Sequence, residues 1–307
     1  MPLVSVIMPA YNASLYIEEA IFSILNQTEK DLELLICDDG SSDNTLEICN
    51  KIILTDNRIK VFSNKKNVGN LKTTNFLFSQ CKGKYIAIQD ADDYSIPTRL
   101  EICIHEFKKD EALGLVGTYF IATNEKLESI SCGILPLTNE EIQGKLEKEV
   151  PPFLYASIMM KSELLKNTGI FNKVFNRKGY ADLDWICRIC EVSKVKNLKT
   201  IAYYYRHYTV HENSPKNLIA KHGAELIVEA HKQRLSGEKD FIETNDRIQI
   251  RKFIASLYKK QAEQASWSQK HDLAFTLFYQ SFKIYWLDLY VIKNLIKLLT
   301  RRIGGIK

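Results

Sequence analysis

Along residues 1–109 the apolar positions switch repeatedly between two periods. Residues 3–8 form a short apolar run ending at Pro9, which predicts a buried strand. Ile17, Ala20, Ile21, Ile24 and Leu25 then recur at helical spacing and mark one face. Residues 32–37 predict the next strand, and Leu46, Cys49, Ile52 and Ile53 the next helix. A strand over 59–62, a helix over 70–79 and a strand over 85–88 follow. Pro97 opens a further helix with Leu100, Cys103, Ile104 and Phe107 on its core face, because proline suits a first helical position. Strand and helix alternating in this way predict an α/β fold with a mainly parallel sheet flanked by helices.

On such sheets ligands bind beyond the carboxyl ends of the strands. Three polar clusters stand there. Pro9-Ala10-Tyr11-Asn12 follows the first strand, Asp38-Asp39-Gly40-Ser41-Ser42-Asp43 the second and Asp90-Ala91-Asp92-Asp93 the fourth. Any one cluster alone reads equally well as a turn or a helix cap, Ser42 or Asp43 for instance. Three together, two with adjacent carboxylates, point to one cleft.

The pattern beyond residue 110 is mixed. Strands are expected over 113–122, 156–160 and 201–205, and helices over 138–146 and from Asp182. From Pro215 onward helical periodicity dominates. The expected organisation is a catalytic domain over 1–214, with halves 1–109 and 110–214, and a helical region over 215–307.

Charge narrows the function classes. The chain carries 42 Lys and Arg against 37 Asp and Glu, but the excess lies after residue 282 and the rest balances at 36 of each. A nucleic-acid partner is therefore not expected. The N-terminus lacks the basic segment of a signal peptide, and no apolar run reaches the roughly 18 residues of a membrane span. Seven cysteines, an odd number lying mostly in apolar segments, suit reduced thiols in the cytoplasm.

The cluster at 90–93 suggests specific chemistry. Carboxylates this close repel unless a cation neutralises them. Mg²⁺ takes one or two carboxylates together with substrate phosphates. Neither a P-loop nor a dinucleotide-binding glycine motif is present, so a diphosphate would be held by metal and side chains.

With these motifs in order, the chain resembles the inverting family-2 glycosyltransferases of the GT-A fold, of the bacterial polysaccharide type. The matching text is Val4-Ser-Val-Ile-Met-Pro-Ala-Tyr-Asn12, Cys37-Asp-Asp-Gly-Ser-Ser-Asp43, Asn67-Val-Gly69 and Asp90-Ala-Asp-Asp93, then Gly169-Ile-Phe171 and Asp182-Leu-Asp-Trp-Ile-Cys-Arg188. The set spans residues 3 to about 214. The resemblance implies that Pro9, Ala10 and Tyr11, with Asn12 beside them, line the base and ribose of a nucleotide-sugar, and that Asp39 bonds the base. Asp90 and Ala91 would meet the ribose or sugar. Asp92 would hold Mg²⁺ or Mn²⁺, with Asp93 assisting. Asn67, Gly69 and Lys72 fall where the family contacts the nucleotide, although Gly69 also reads as a turn glycine and Lys72 as a solvated helix residue.

Asp182 would be the general base. The family usually has Glu before this Asp, and here Ala181 stands in its place. Asp184 and Arg188, four apart, suit a structural pair. The segment from Arg206 through His207 to His211 matches a family stretch near the diphosphate, which makes the two histidines further candidate metal ligands. Two segments, 151–161 and 172–180, would set acceptor specificity. The donor expected from the family is a UDP-sugar and the acceptor a glycan or lipid-linked glycan. Processive members carry membrane spans and a Gln-x-x-Arg-Trp motif; neither is present, which favours transfer of single residues.

Residues 282–302 join aromatic and aliphatic positions to a basic face at Lys293, Lys297 and Arg301. That suits peripheral contact with anionic lipid, or a helix packed with its basic side in water. Two rival functions remain: an aspartate-based phosphotransferase, which leaves Asp39 and Asp182 unexplained, and a non-catalytic nucleotide-sugar-binding module.

Overall fold

The structure, a computed structural model, describes residues 1–307 except 147, 149, 178, 208–221, 241, 243–245, 269, 286–290, 296, 297 and 299–307. By internal contacts the chain divides into two compact units, Met1–Ser214 and Pro215–Lys307.

The first unit is built on β1 (Val4–Ala10), β2 (Leu32–Asp38), β3 (Ile59–Ser63) and β4 (Tyr85–Ile88). Helices α1 (Ile17–Leu25), α2 (Thr45–Ile52) and α3 (Asn70–Gln80) connect them. Every residue of β1 and β2 is buried, as expected of parallel strands covered on both faces. Strand β1 pairs in parallel with both β2 and β4, and β2 with β3. The predicted helix face of α1 is the buried one and joins the core cluster with Val6, Leu34 and Ala87.

After β4 come β5 (Tyr94–Ser95), α4 (Arg99–Lys109), β6 (Leu113–Thr123), β7 (Ser129–Gly133) and α5 (Asn139–Leu146). Then follow β8 (Met159–Lys161), α6 (Leu165–Thr168), α7 (Ala181–Val192) and β9 (Lys194–Arg206). The sheet order is β3-β2-β1-β4-β8-β6-β9-β5, with β7 on β6. The direction changes at β8, which runs antiparallel to β4 and to β6. This is a mixed sheet whose first four strands are parallel, flanked by helices.

Three expectations need correction. The strand expected over 156–160 is only Met159–Lys161, because Tyr155–Ser157 turns as a 3₁₀ helix with the Ser157 hydroxyl donating to the Leu154 carbonyl at 2.9 Å. The helix expected to open at Pro97 begins at Arg99, since the Pro97 carbonyl accepts from the Thr28 N–H at 2.7 Å. The strand expected over 201–205 extends from Lys194 to Arg206.

The amino ends of the strands carry a structural polar network. Buried Glu33 accepts from the Ser5 hydroxyl at 2.7 Å, from Lys60 Nζ at 2.7 Å and from the Lys82 N–H at 3.0 Å. Burial raises its pKa, but these bonds and the Lys60 charge outweigh that and hold it below the ordinary glutamate value.

The second unit contains α8 (Gly223–Leu235), α9 (Arg247–Trp267) and α10 (His271–Ile284). Asp246 caps α9 by accepting from the Ile248 and Gln249 N–H groups at 2.9 and 3.0 Å. Small residues Ala262, Ala265 and Ala274 let α9 and α10 pack closely, and the Ser281 hydroxyl donates to the Ala255 carbonyl at 2.8 Å. Among the described residues no helix is long and apolar enough to cross a membrane. Most of 285–302, with Lys297 and Arg301, lies outside the described residues.

Candidate active site

The carboxyl ends of β1 and β4 face a cavity of about 560 Å³. Its lining includes Pro9, Tyr11, Asn12, Asp90, Ala91 and Asp92. This is the crevice where the strand order reverses around β1, the place an open α/β sheet offers a ligand. Half-exposed Tyr11 presents its ring to the opening. Asn12 sits at φ 49° and accepts from the Ser42 N–H at 2.9 Å, which binds the first polar loop to the second.

Asp39 does not line either cavity of the site. It is buried, and its carboxylate accepts from Asn64 Nδ2 at 2.8 Å and from the Val68 and Gly69 N–H groups at 3.0 and 2.9 Å. It therefore clamps the loop carrying Asn67 and Gly69. Gly40 makes that approach possible: at φ +71°, a Cβ there would stand 2.6 Å from the Lys66 carbonyl carbon. Lys72 is exposed on α3 and lines neither cavity of the site.

A second cavity of about 300 Å³ shares Asn70 and Asp90 with the first. Its other walls include Tyr155, Phe171, Phe175, Arg177, Tyr180 and Asp182. Asp182 stands in the first turn of α7, two residues after Tyr180, which is in left-handed conformation at φ 64°. Burial pushes its carboxyl above the ordinary aspartate value, while the N–H groups of Asp182 and Leu183 pull it partly back. The predicted pair is present: Arg188 Nη2 donates to Asp184 at 2.9 Å and to the Ile170 carbonyl at 3.1 Å. Trp185 Nε1 donates to the Gly169 carbonyl at 3.0 Å. These bonds hold the 169–171 loop against α7 and fix where Asp182 emerges.

The acids between the cavities are strongly perturbed. Burial, and then the charges of Asp92 and Asp182, push the Asp90 carboxyl up to about 7. Asp93 is pushed up to about 8 by burial and by Asp90 and Asp92. It is fully buried, lines neither cavity, and accepts from the Arg206 N–H at 2.8 Å. Asp93 is thus turned into the protein, and the acids of this loop that line the cavity are Asp90 and Asp92.

The loop is clamped from below. Gln89 Nε2 donates to the Asp90 and Asp93 carbonyls, both at 3.1 Å. Buried Arg206 donates to the Asp92 carbonyl, to Glu19 Oε2 and, at 3.1 Å, to the Glu125 carbonyl. Its guanidinium lies 4.5 Å from the centre of the Tyr16 ring. Sequence reasoning put Arg206 near the diphosphate; here it is a buried support. His207 is exposed, donates its N–H to the Thr123 carbonyl at 2.9 Å and lines neither cavity. His211 lies outside the described residues.

Among the described residues no group of three or more His, Cys, Asp or Glu forms a metal cage. Two carboxylates on one loop, mutually repelling, still fit a hard divalent cation that completes its shell with phosphate oxygens.

The Glycosyl transferase family 2 profile matches residues 5–169, more than half of the chain. The chain belongs to that family. It is 32% identical over 224 residues to the UDP-Glc:alpha-D-GlcNAc-diphosphoundecaprenol beta-1,3-glucosyltransferase WfaP of Escherichia coli, covering 71% of this chain and 84% of that one. It is 37% identical over 205 residues to the chondroitin synthase of Pasteurella multocida (strain Pm70), covering 66% of this chain. The chain spans only 20% of that synthase's length. Among solved structures, S. aureus TarS 1–349 in complex with UDP-GlcNAc superposes with a TM-score of 0.63 at 18% identity, covering 100% of this chain and 82% of that one. That likeness establishes the GT-A fold for this family-2 glycosyltransferase.

Sequence reasoning did not single out Tyr16, Asn70, Tyr155 or Arg177 among the lining residues. Tyr155 and Arg177 do fall inside the two segments expected to set acceptor specificity. Arg177 Nη2 donates to the Asn67 carbonyl at 2.9 Å and to Asn67 Oδ1 at 2.7 Å, a tie between distant loops that no local pattern announces.

Proposed function

We propose that this glycosyltransferase moves a sugar from a nucleotide-sugar, a UDP-sugar, to a hydroxyl of a glycan or lipid-linked acceptor, inverting the anomeric centre. The observation that carries the proposal is the junction at Asn70 and Asp90: a cavity walled by the Asp90–Asp92 loop adjoins a cavity walled by Asp182. The first suits the donor and the second the acceptor. Residues 1–214 would form the catalytic domain. WfaP, by its name, uses UDP-Glc and a diphosphoundecaprenol acceptor, and TarS was crystallised with UDP-GlcNAc, which supports donor and acceptor class.

In this reading Pro9, Tyr11 and Asn12 border the nucleotide, while Asp39 and Gly69 shape the loop beneath it. Asp92, with Asp90 beside it, would hold Mg²⁺ or Mn²⁺, which supplies positive charge against the leaving diphosphate. Asp182 accepts the proton of the acceptor hydroxyl. That oxygen bonds to the anomeric carbon as the bond to the diphosphate oxygen breaks, and the electron pair leaves with the nucleoside diphosphate. A carboxyl held above the ordinary aspartate range is a better base than a solvated one. The basic residues within 282–302 would meet the anionic cytoplasmic surface of the membrane, where a lipid-linked acceptor is found.

The test is turnover of UDP-, GDP- and dTDP-sugars with Mn²⁺, with Asp92→Ala and Asp182→Ala alongside. Nucleoside diphosphate released from one donor and lost in Asp92→Ala is expected. No turnover and no metal-dependent nucleotide binding with any donor would overturn the reading in favour of a non-catalytic module.

A further inference from the structure

Of the residues that line the two cavities, Asp90 and Asn70 are the pair that lines both. With a donor in one cavity and an acceptor in the other, the bond that is exchanged lies at their junction, within reach of Asn70. What Asn70 offers there is set by the helix it opens. It is the first residue of α3, and its Oδ1 accepts from the hydroxyl of fully buried Thr74, one turn further on, at 3.0 Å. The accepting end of the amide is therefore turned onto the helix, and the donating end, Nδ2, is left for the cavities. The side chain is exposed, and its Nδ2 donates to no acceptor among the described residues.

An N–H donor bonds a hydroxyl, but it bonds an anionic oxygen roughly twice as strongly. The surroundings favour the anion. Helix α3 has no acidic residue in its first turn and no side-chain cap, so the start of the helix adds positive potential where Asn70 stands. The other carboxyls of the two cavities, Asp90, Asp92 and Asp182, are acceptors when ionised and leave the donating role to the amide.

We infer that Asn70 Nδ2 donates to the phosphate oxygen that joins the sugar to the nucleoside diphosphate, and stabilises it as it leaves. In the donor that oxygen is an ester oxygen with little charge. As the acceptor oxygen bonds to the anomeric carbon, the bond from that carbon to the phosphate oxygen breaks. The electron pair stays on the phosphate oxygen, which becomes anionic. The hydrogen bond strengthens during this change, so it lowers the barrier more than it tightens donor binding. Asn70 is thereby a catalytic residue, in contact with the leaving atom. This rests on the glycosyltransferase reading above and deepens it by naming the group that receives the leaving oxygen.

The experiment uses the full chain, Mn²⁺, UDP and the UDP-sugar found to turn over. Calorimetry gives the two affinities, and a single turnover gives the rate at which water cleaves the UDP-sugar. UDP presents the freed oxygen fully charged, whereas the UDP-sugar presents it as an ester. In Asn70→Ala the cleavage rate should fall about a hundredfold. Its affinity for UDP should fall about tenfold, and that for the UDP-sugar should stay within about twofold. Asn70→Asp separates this from a structural role. A carboxylate in the first turn favours the helix, so this variant should melt no lower than the parent, yet lose at least as much cleavage rate and UDP affinity as Asn70→Ala. Equal losses of UDP and UDP-sugar affinity, a loss confined to the UDP-sugar, an unchanged cleavage rate, or a lowered melting temperature in Asn70→Asp would each overturn the inference and leave the transferase reading standing. Absence of turnover and of metal-dependent binding with every donor would instead overturn the transferase reading itself, and this inference with it.

Discussion

Arg206 offers the sharpest test of how the site is held. Its side chain is 3% exposed and donates to the Asp92 and Glu125 carbonyls and to Glu19. Arg206→Met removes all three bonds. The Glu19 carboxylate is 47% exposed, so its share falls to about 0–1 kcal/mol. Each charge-assisted bond to a carbonyl contributes about 1.5–3 kcal/mol. Against that sum stands the relief of no longer desolvating a guanidinium, which makes hydrophobic replacements of buried charges less harmful than bond counting suggests. The net expectation is a loss of about 2–3 kcal/mol for Arg206→Met. Arg206→Lys should lose about 2 kcal/mol, because an ammonium cannot reproduce the planar fork. Both are read by urea denaturation at constant slope. A second consequence separates support from general stability: freeing the Asp92 carbonyl loosens the Asp90–Asp92 loop. UDP affinity in the presence of Mn²⁺, measured by calorimetry well below the denaturation midpoint, should therefore fall about tenfold, equivalent to about 1.4 kcal/mol. Variants within 0.5 kcal/mol of the parent with unchanged UDP affinity would refute the reasoning.

Three further outcomes are expected. Asp182→Asn should lower transfer at least about a hundredfold with UDP affinity preserved; the parent's pH–rate profile should lose activity, as pH falls, above the ordinary aspartate range, and a limb near 4 would contradict the assigned base. Gly40→Ala should cost about 2–4 kcal/mol by urea denaturation, since a Cβ there would combine left-handed strain with a contact 2.6 Å from the Lys66 backbone. Glu33→Gln should cost about 1–3 kcal/mol at pH 7. Because the folded-state pKa of Glu33 is depressed, its contribution is complete above the unfolded value and disappears as pH falls through the folded one. The variant's deficit should therefore shrink on acidification, and a deficit that grows would refute the assignment.

The parallel half of the fold is legible because its strands are buried on both faces and read as continuous apolar runs, β1 and β2 above all. Legibility fails where a strand is short or half-exposed. Strand β5 has two residues and β7 is almost wholly exposed, so neither leaves a period to read. The first half of β9 alternates inward and outward positions, but polar Asn197 is buried and Leu198 half-buried on the outward side, which obscures the pattern. Within the site, motif order marks Asp90, Asp92 and Asp182, and the structure gathers them around two adjoining cavities. What sequence conceals is orientation. Asp92 and Asp93 are neighbours of one chemical type, yet Asp93 is buried against the Arg206 N–H while Asp92 faces the cleft. Arg206 takes its role from partners far away along the chain.

The adjacency of the two cavities follows from one change of strand direction. Strand β4 has β1 on one side and β8 on the other. Because β1 is parallel to β4, its outgoing loop, Tyr11 to Tyr16, emerges at the same end as Asp90 and walls the cavity of about 560 Å³. Because β8 is antiparallel, its incoming segment arrives at that end instead: Met159 pairs with Ala87, and the Ile88 N–H donates to the Ile158 carbonyl at 3.1 Å. The turn Tyr155–Ser157 is thereby delivered beside Asp90, on the opposite side from Tyr11. A parallel β8 would have brought this turn to the amino ends of the strands, beside the Glu33 network and away from Asp90. The reversal at β8 is thus what lets the cavity lined by Asp182 be built against the cavity lined by Asp92 while the first four strands keep their uninterrupted parallel order.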